Sequence, residues 1–365
     1  MKNKITPLIL LIMLTVSLTA QEQVWFKTLL NRTPTAVCTH NNMIIVGGDQ
    51  DYPGQGNIAQ GFVTLYDSDG QIIWDKVFGS PMSDKINRIA CDDNNIYLTG
   101  TTWAKNKGNQ LWFAKLDMQG NLIFNKNFGG KYDDFGNALI TTSDKNILIA
   151  GATKQNDNDL LNLWVIKADT NGNIIWEKNY GSYDHGEQGI NIKELDNGYL
   201  IISKKWNKKG LSDFDTWIVF LDKNNGNLLW TRELADIEDN IIKDAVFLPN
   251  NALMFIGHND NKLKTHNSDL WIVIMNDHGN TMVSKTVGSK MQERGLRIFK
   301  YNGKYLIAGN IDEKASIWYT DANANTEKPI WGLADKMYDA ALKDNKLIIV
   351  GGNKPGYVKV IEISQ

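Results

Sequence analysis

Cysteine, histidine and long apolar runs are all scarce in this 365-residue chain. Two cysteines are too few for a disulfide-stapled scaffold, so a packed core must supply the stability. Among the five histidines (His40, His185, His258, His266 and His278) none opens a His-Glu-x-x-His motif or joins a spaced Cys/His set. No metal site is expected, and the spacing of His258 and His266 in one segment fits a solvated loop. Charge of one sign is missing too. Lys and Arg total 39 against 41 Asp and Glu, a net charge of −2, which leaves no electrostatic footprint for nucleic acid. Beyond the N-terminus no apolar run is long enough to span a bilayer as a helix, and no segment carries the helical period. With 42% apolar and 22% charged residues, the chain has the composition of an ordinary globular protein.

Residues 1–20 read as a cleavable export signal. Lys2 and Lys4 precede the apolar run from Leu8 to Leu18, and Thr19-Ala20 stands before the polar Gln21-Glu22-Gln23. The expectation is a secreted or periplasmic protein whose mature domain is residues 21–365, without a membrane span and monomeric. Removing Lys2 and Lys4 changes the charge balance to 37 − 41 = −4.

What the chain does contain is a repeat of about 50 residues, a period typical of propeller blades. The clearest copy runs from Leu163 to Trp176, with matches at Leu111 to Phe124 and Thr216 to Trp230, weaker ones at Phe62 to Trp74 and Leu270 to Val283, and a worn one holding Trp318, Asp321 and Trp331. In each, alternating apolar residues rise to an Asp, the chain turns through Asn and Gly, and alternation resumes to an aromatic residue, the pattern of a β-hairpin. A pair such as Gly79-Ser80, Gly129-Gly130, Gly181-Ser182 or Gly288-Ser289 follows, then two further strands.

Four short antiparallel strands per repeat describe a blade. Strands ending at Gly47, Gly100, Gly151, Ser203, Gly257, Gly309 and Gly351 count seven of them. The last repeat lacks its outer strand, whereas the mature N-terminus opens with an orphan Val24-Trp25-Phe26-Lys27. The sequence therefore predicts an all-β, seven-bladed propeller of four-stranded antiparallel blades, closed by the N-terminal strand completing the last blade. Cys38 and Cys91 fall at the same place in successive repeats, and the spacing is compatible with a bridge or with two buried thiols.

The segment from Lys167 to Gly181, Lys-x-Asp-x-x-Gly-Asn-x-x-Trp-x-Lys-x-x-Gly with Ala at 168, resembles the blades of secreted bacterial propeller-repeat proteins. It is also similar to the tryptophan-docking repeat of the quinoprotein (PQQ) propeller superfamily. Quinoprotein dehydrogenases typically have eight blades, a calcium ion and an adjacent-cysteine disulfide, and this chain departs from that pattern in blade number and in cysteine placement. What the resemblance implies here is the role of the superfamily's non-catalytic members, assembly scaffolds that carry no cofactor.

In this topology the loops from outer to next inner strand, and from second to third strand, share one face. Most tryptophans occupy hairpin positions, where packing between blades accounts for them. Trp103 and Trp206 fall off the pattern, in Trp-Ala-Lys-Asn-Lys-Gly and Trp-Asn-Lys-Lys-Gly, both expected in second-to-third-strand loops. Tyr52, Tyr132, Asp133, Asp134, Tyr183, Asp184 and His185 are expected on the same face. Aromatic side chains beside carboxylates suit a glycan or an extended peptide, so the expected function is binding or scaffolding of a glycan, peptide or protein, with no catalytic residue assigned. The alternative is a polysaccharide-active enzyme, lyase or hydrolase, working on that face. Asp84 corresponds to Asp134 in the preceding repeat, which predicts turn capping by both. Asn156-Asp157-Asn158-Asp159 lacks the Gly and Glu of a calcium loop.

Overall fold

The computed structural model describes residues 22–51, 58–80, 82–157, 159–182, 184–207, 214–235, 239–261 and 267–363. Seven four-stranded antiparallel sheets follow one another in chain order. Their innermost strands are Arg32–His40, Asp84–Cys91, Asp134–Thr141, His185–Leu195, Asp239–Phe247, Glu293–Tyr301 and Met337–Lys343, which define blades 1 to 7. No α-helix is present among the described residues. No helix long and apolar enough to cross a membrane is found among them. Blade 7 is completed by Glu22–Leu29, which pairs antiparallel with Gly356–Glu362 and so joins the two ends of the chain as the sequence predicts.

The blades are held to one another by a repeated contact that explains the sequence motif. Gly70, Gly120, Gly172, Gly226 and Gly279 all sit at positive φ in the turn after the third strand, and over them lie Trp25, Trp74, Phe124, Trp176 and Trp230 of the preceding blade. A Cβ at Gly70 would stand 2.7 Å from the Trp25 ring, so glycine serves both the left-handed turn and the aromatic stack. Trp25 Nε1 donates to the Ser68 carbonyl at 3.0 Å, and Trp74 Nε1 to Met118 at 2.9 Å. The lysine two residues after the aromatic adds to the tie: Lys76 Nζ donates to Gly120 O and Lys126 Nζ to Gly172 O, both at 2.8 Å.

Every innermost strand carries a one-residue bulge, at Thr35, Asn87, Asn137, Ile190, Lys243, Leu296 and Tyr338. The bulge pushes a carbonyl against the neighbouring strand. A Cβ at Gly100 would lie 1.9 Å from Lys85 O, and one at Gly257 would lie 1.9 Å from Ile241 O. This close approach accounts for the glycine of the second strand, which lies inside the strand in blades 1, 2 and 5. In blade 1 that glycine is Gly48, opposite Pro34, rather than the Gly47 at which the sequence reading ends the strand.

The worn copy in blade 6 departs from the sequence reading. Trp318 is buried at 1% exposure in the core shared with blade 5, but Trp331 pairs with Ser316 and is 60% exposed. The physical reason is the closure itself: in blade 7 the third and fourth strands are the two ends of the chain, so no Asp-to-Gly turn exists for an aromatic of blade 6 to cover. Cys38 and Cys91 are both half-buried free thiols packed against one core, with Cys38 driven well above the ordinary thiol range by burial and by its neighbour Cys91.

Candidate binding site at the mouth of the central channel

The residue after each bulge faces its equivalents around the axis, and there the chain places Ala36, Arg88, Ala138, Asn191, Asp244, Arg297 and Asp339. Arg297 Nε reaches Asp339 at 2.6 Å from the adjacent blade, and Arg88 Nη1 reaches it at 3.1 Å from blade 2, past blade 1. Lys193 Nζ pairs with Asp244 at 2.7 Å. Both carboxylates also accept backbone N–H groups of a following blade, Val37 for Asp339 and Ile298 for Asp244, each at 3.1 Å. Burial opposes the charge of Asp244, yet Lys193 and Arg297 hold its pKa below the usual carboxylate value. A buried network of this kind ties non-adjacent blades together.

Toward the face that carries the outer-to-inner and second-to-third-strand connections, the mouth of the channel opens into a recess of about 320 Å³ among blades 4 to 7. Three consecutive bulge residues, Lys243, Leu296 and Tyr338, line it. Lys204, Phe214, Asp239, His258, Asp260, Arg294 and Lys336 complete its polar and aromatic wall. Most of these charges are already engaged. Arg294 donates to Ser268 Oγ at 2.9 and 3.1 Å and stands 3.8 Å from Asp260; Lys336 pairs with Glu313 at 3.0 Å; Lys204 Nζ lies 3.2 Å from the centre of the Phe214 ring. Asp239 accepts the Phe214 N–H at 3.0 Å.

Lys243 is the exception. Burial, with Lys204, Arg297 and Arg294 around it, pushes its pKa down to about 8, and among the described residues no carboxylate pairs with it. The imidazole of His258 is 7% exposed, its Nδ1 is buried without a hydrogen-bond partner, and burial together with Lys243 holds it neutral, well below the ordinary histidine range. The recess is thus positive, with one uncompensated cation beside one unsatisfied ring nitrogen.

The residues singled out from sequence fall in two other places on this face. In blades 2 and 3, Trp103 is 36% exposed, yet it ends the strand Asn95–Ala104, paired with Asn109, instead of lying in a loop. Asp133 accepts the backbone and side-chain N–H groups of the same Asn109 at 3.0 and 2.9 Å, with Tyr132 half-buried beside it. Asp134 is fully buried and accepts Gly130 N–H at 2.9 Å, as Asp84 accepts that of Ser80 at 2.6 Å, so both cap the turn as predicted. Burial raises both of their pKa values.

In blade 4, Trp206 also belongs to a strand, half-buried over Gly186 and 6.3 Å from the Phe214 ring. His185 meets Ser182 Oγ at 3.1 Å, and Asp184 is exposed. Tyr52, Tyr183 and His266 lie outside the described residues. Trp206 connects to the recess through Phe214; Trp103, Tyr132 and Asp133 do not line it. Glu187, in the same strand position as Asp84 and Asp134, has its pKa raised to about 7 by burial and also lies off the recess.

The sequence reading passed over Lys243 and expected His258 in a solvated loop, whereas the strand Leu253–Asn261 holds its imidazole buried. The available signal was the charged pair Lys243-Asp244 in the middle of the innermost strand Asp239–Phe247, with alanine at the position of Asp244 in two other blades.

A family model described as Arylsulfotransferase (ASST) matches residues 31–185, which is less than half of the chain and does not include the recess. No curated protein matches the chain. Solved structures share the fold at low identity. The polysaccharide lyase Uly1 aligns with a TM-score of 0.60 at 10% identity, covering 90% of each chain. The Neurospora crassa Pan2 WD40 domain aligns at 0.59 and 10%, covering 91% of this chain and 90% of that one. Quinohemoprotein alcohol dehydrogenase from Comamonas testosteroni aligns at 0.55 and 9%, covering 93% and 76%. At these identities the likeness establishes the β-propeller fold alone.

Proposed function

We propose that this protein is an exported binding or scaffolding propeller that takes a glycan on the face at the mouth of the channel. The observation that carries the reading is the recess of about 320 Å³ at the blade 4–7 side of that face, a concave site with convergent polar groups around Phe214 and Tyr338. The exposed Trp103 offers a sugar a second stacking surface elsewhere on the face. A glycan array with the purified protein tests the reading: retention of a glycan class without turnover supports it, and the absence of any retained glycan refutes it.

One observation favours enzymatic action instead. A buried neutral imidazole with a free Nδ1 beside a lysine of lowered pKa is a pair suited to accepting a proton. The likeness to a polysaccharide lyase and the partial match to an arylsulfotransferase model point the same way. Unsaturated sugar ends, or sulfuryl transfer from an aryl sulfate, would establish this second reading.

A further inference from the structure

From the recess we infer, building on the glycan-binding reading above, that its occupant is the singly charged acid group of an acidic glycan, a uronate carboxylate or a sulfate ester, held by Lys243 and His258. The charge inventory selects the class. Arg294 and Lys336 already have oxygen partners, and Lys204 lies over an aromatic ring, so among the described residues Lys243 is the cation of the recess left without a partner. Lys204, Arg297 and Arg294 all disfavour the Lys243 ammonium, and an anion that joins it relieves that repulsion. One unmet charge calls for a monoanion.

The orphaned Nδ1 gives the second point of contact. A buried polar atom without a partner costs free energy, and a ligand that supplies the missing hydrogen bond recovers it. A monoanionic oxyacid group on a sugar carries oxygen acceptors for the lysine, and a ring hydroxyl or second oxygen lies close enough on the same residue to meet the imidazole. A neutral sugar leaves Lys243 uncompensated. The bulge sets this geometry, because it turns residue 243 out of the strand alternation and into the mouth of the channel.

The test is affinity electrophoresis of the full mature chain through gels containing polygalacturonate, dextran sulfate or neutral dextran, with wild type, Lys243→Met, Lys243→Gln and Trp103→Ala. The expected result is retardation by at least one of the two acidic polymers, none by dextran, and a loss of at least about tenfold in apparent affinity for both Lys243 variants at unchanged or higher melting temperature. Which acidic polymer retards the protein separates a carboxylate from a sulfate ester. Retardation by an acidic polymer that both Lys243 variants retain would overturn the inference and leave the glycan reading standing, with Trp103→Ala then locating the ligand. Retardation by dextran alone would likewise remove the acid group from the account. No retardation by any polymer overturns this inference, and the glycan reading then stands or falls on the array.

Discussion

One carboxylate, Asp339 in blade 7, holds Arg297 of blade 6 at 2.6 Å and Arg88 of blade 2 at 3.1 Å. The contact reaches past blade 1, so a residue of the last repeat fixes the distance between blades that are far apart in sequence. Replacing Asp339 by Asn leaves two buried guanidinium groups facing each other across a weaker acceptor. Removing one partner of a buried ionic cluster costs about 3–5 kcal/mol, and a chemical denaturation midpoint should fall accordingly. A midpoint equal to that of wild type would mean that the network does not bind the blades together.

Closure makes a second prediction. Trp25, 8% exposed, lies in the N-terminal strand that completes blade 7 and docks on Gly70 of blade 1. Trp25→Ala should cost about 3–5 kcal/mol, and deletion of residues 21–30 more, because it also exposes the Gly356–Glu362 edge. Gly70→Ala should destabilise as well, since its φ of +77° and the Trp25 ring at 2.7 Å both exclude a methyl group. Trp331→Ala is the contrasting control: at 60% exposure its loss should leave thermal melting nearly unchanged.

Glu187 supplies a pH-dependent prediction. Its carboxyl is 1% exposed and its pKa is raised from 4.5 to about 7 by burial. Between those values the folded chain keeps a proton that the unfolded chain has released, so stability present below pH 4.5 is lost as pH rises through about 7. Glu187→Gln should therefore raise stability at pH 8, by on the order of 2 kcal/mol, and change it little at pH 4. Differential scanning calorimetry at the two pH values checks the sign; stabilisation at pH 4 alone would contradict it.

The three tryptophans 103, 164 and 206 separate face from scaffold. Trp103→Ala should leave melting unchanged, and Trp164→Ala, 6% exposed in the core between blades 2 and 3, should cost about 3–5 kcal/mol. Trp206→Ala should fall between them, because this ring rests on Gly186 and Phe214 and answers partly to packing. Melting temperatures in the order 164, 206, 103, lowest first, are expected.

Blade number, strand order and ring closure were legible because the turn Asp, the turn Gly and the docking aromatic recur at a fixed spacing. Trp176 over Gly226 and Trp230 over Gly279 are the contacts behind that period. The turn-capping role of Asp134 was legible through its counterpart Asp84. The recess was not. Lys243 turns inward only because of a bulge, and a bulge leaves no mark in a pattern of alternating apolar residues. His258 becomes distinctive only when blades 4 to 7 come together around it. Trp103 and Trp206 were correctly separated from the repeat, but their strands extend farther than the Lys- and Asn-rich sequence suggested, through Ala104 and Asn207.

The central claim is that the channel mouth binds a glycan without transforming it. It is tested most directly by incubating the wild-type protein with the polymer that retards it and recording, on one sample, the bound fraction and the ends released over time. The account predicts a saturable bound fraction and no increase in reducing or unsaturated ends. Release of such ends that rises with protein concentration and is lost in His258→Gln would contradict it and make the recess an active site.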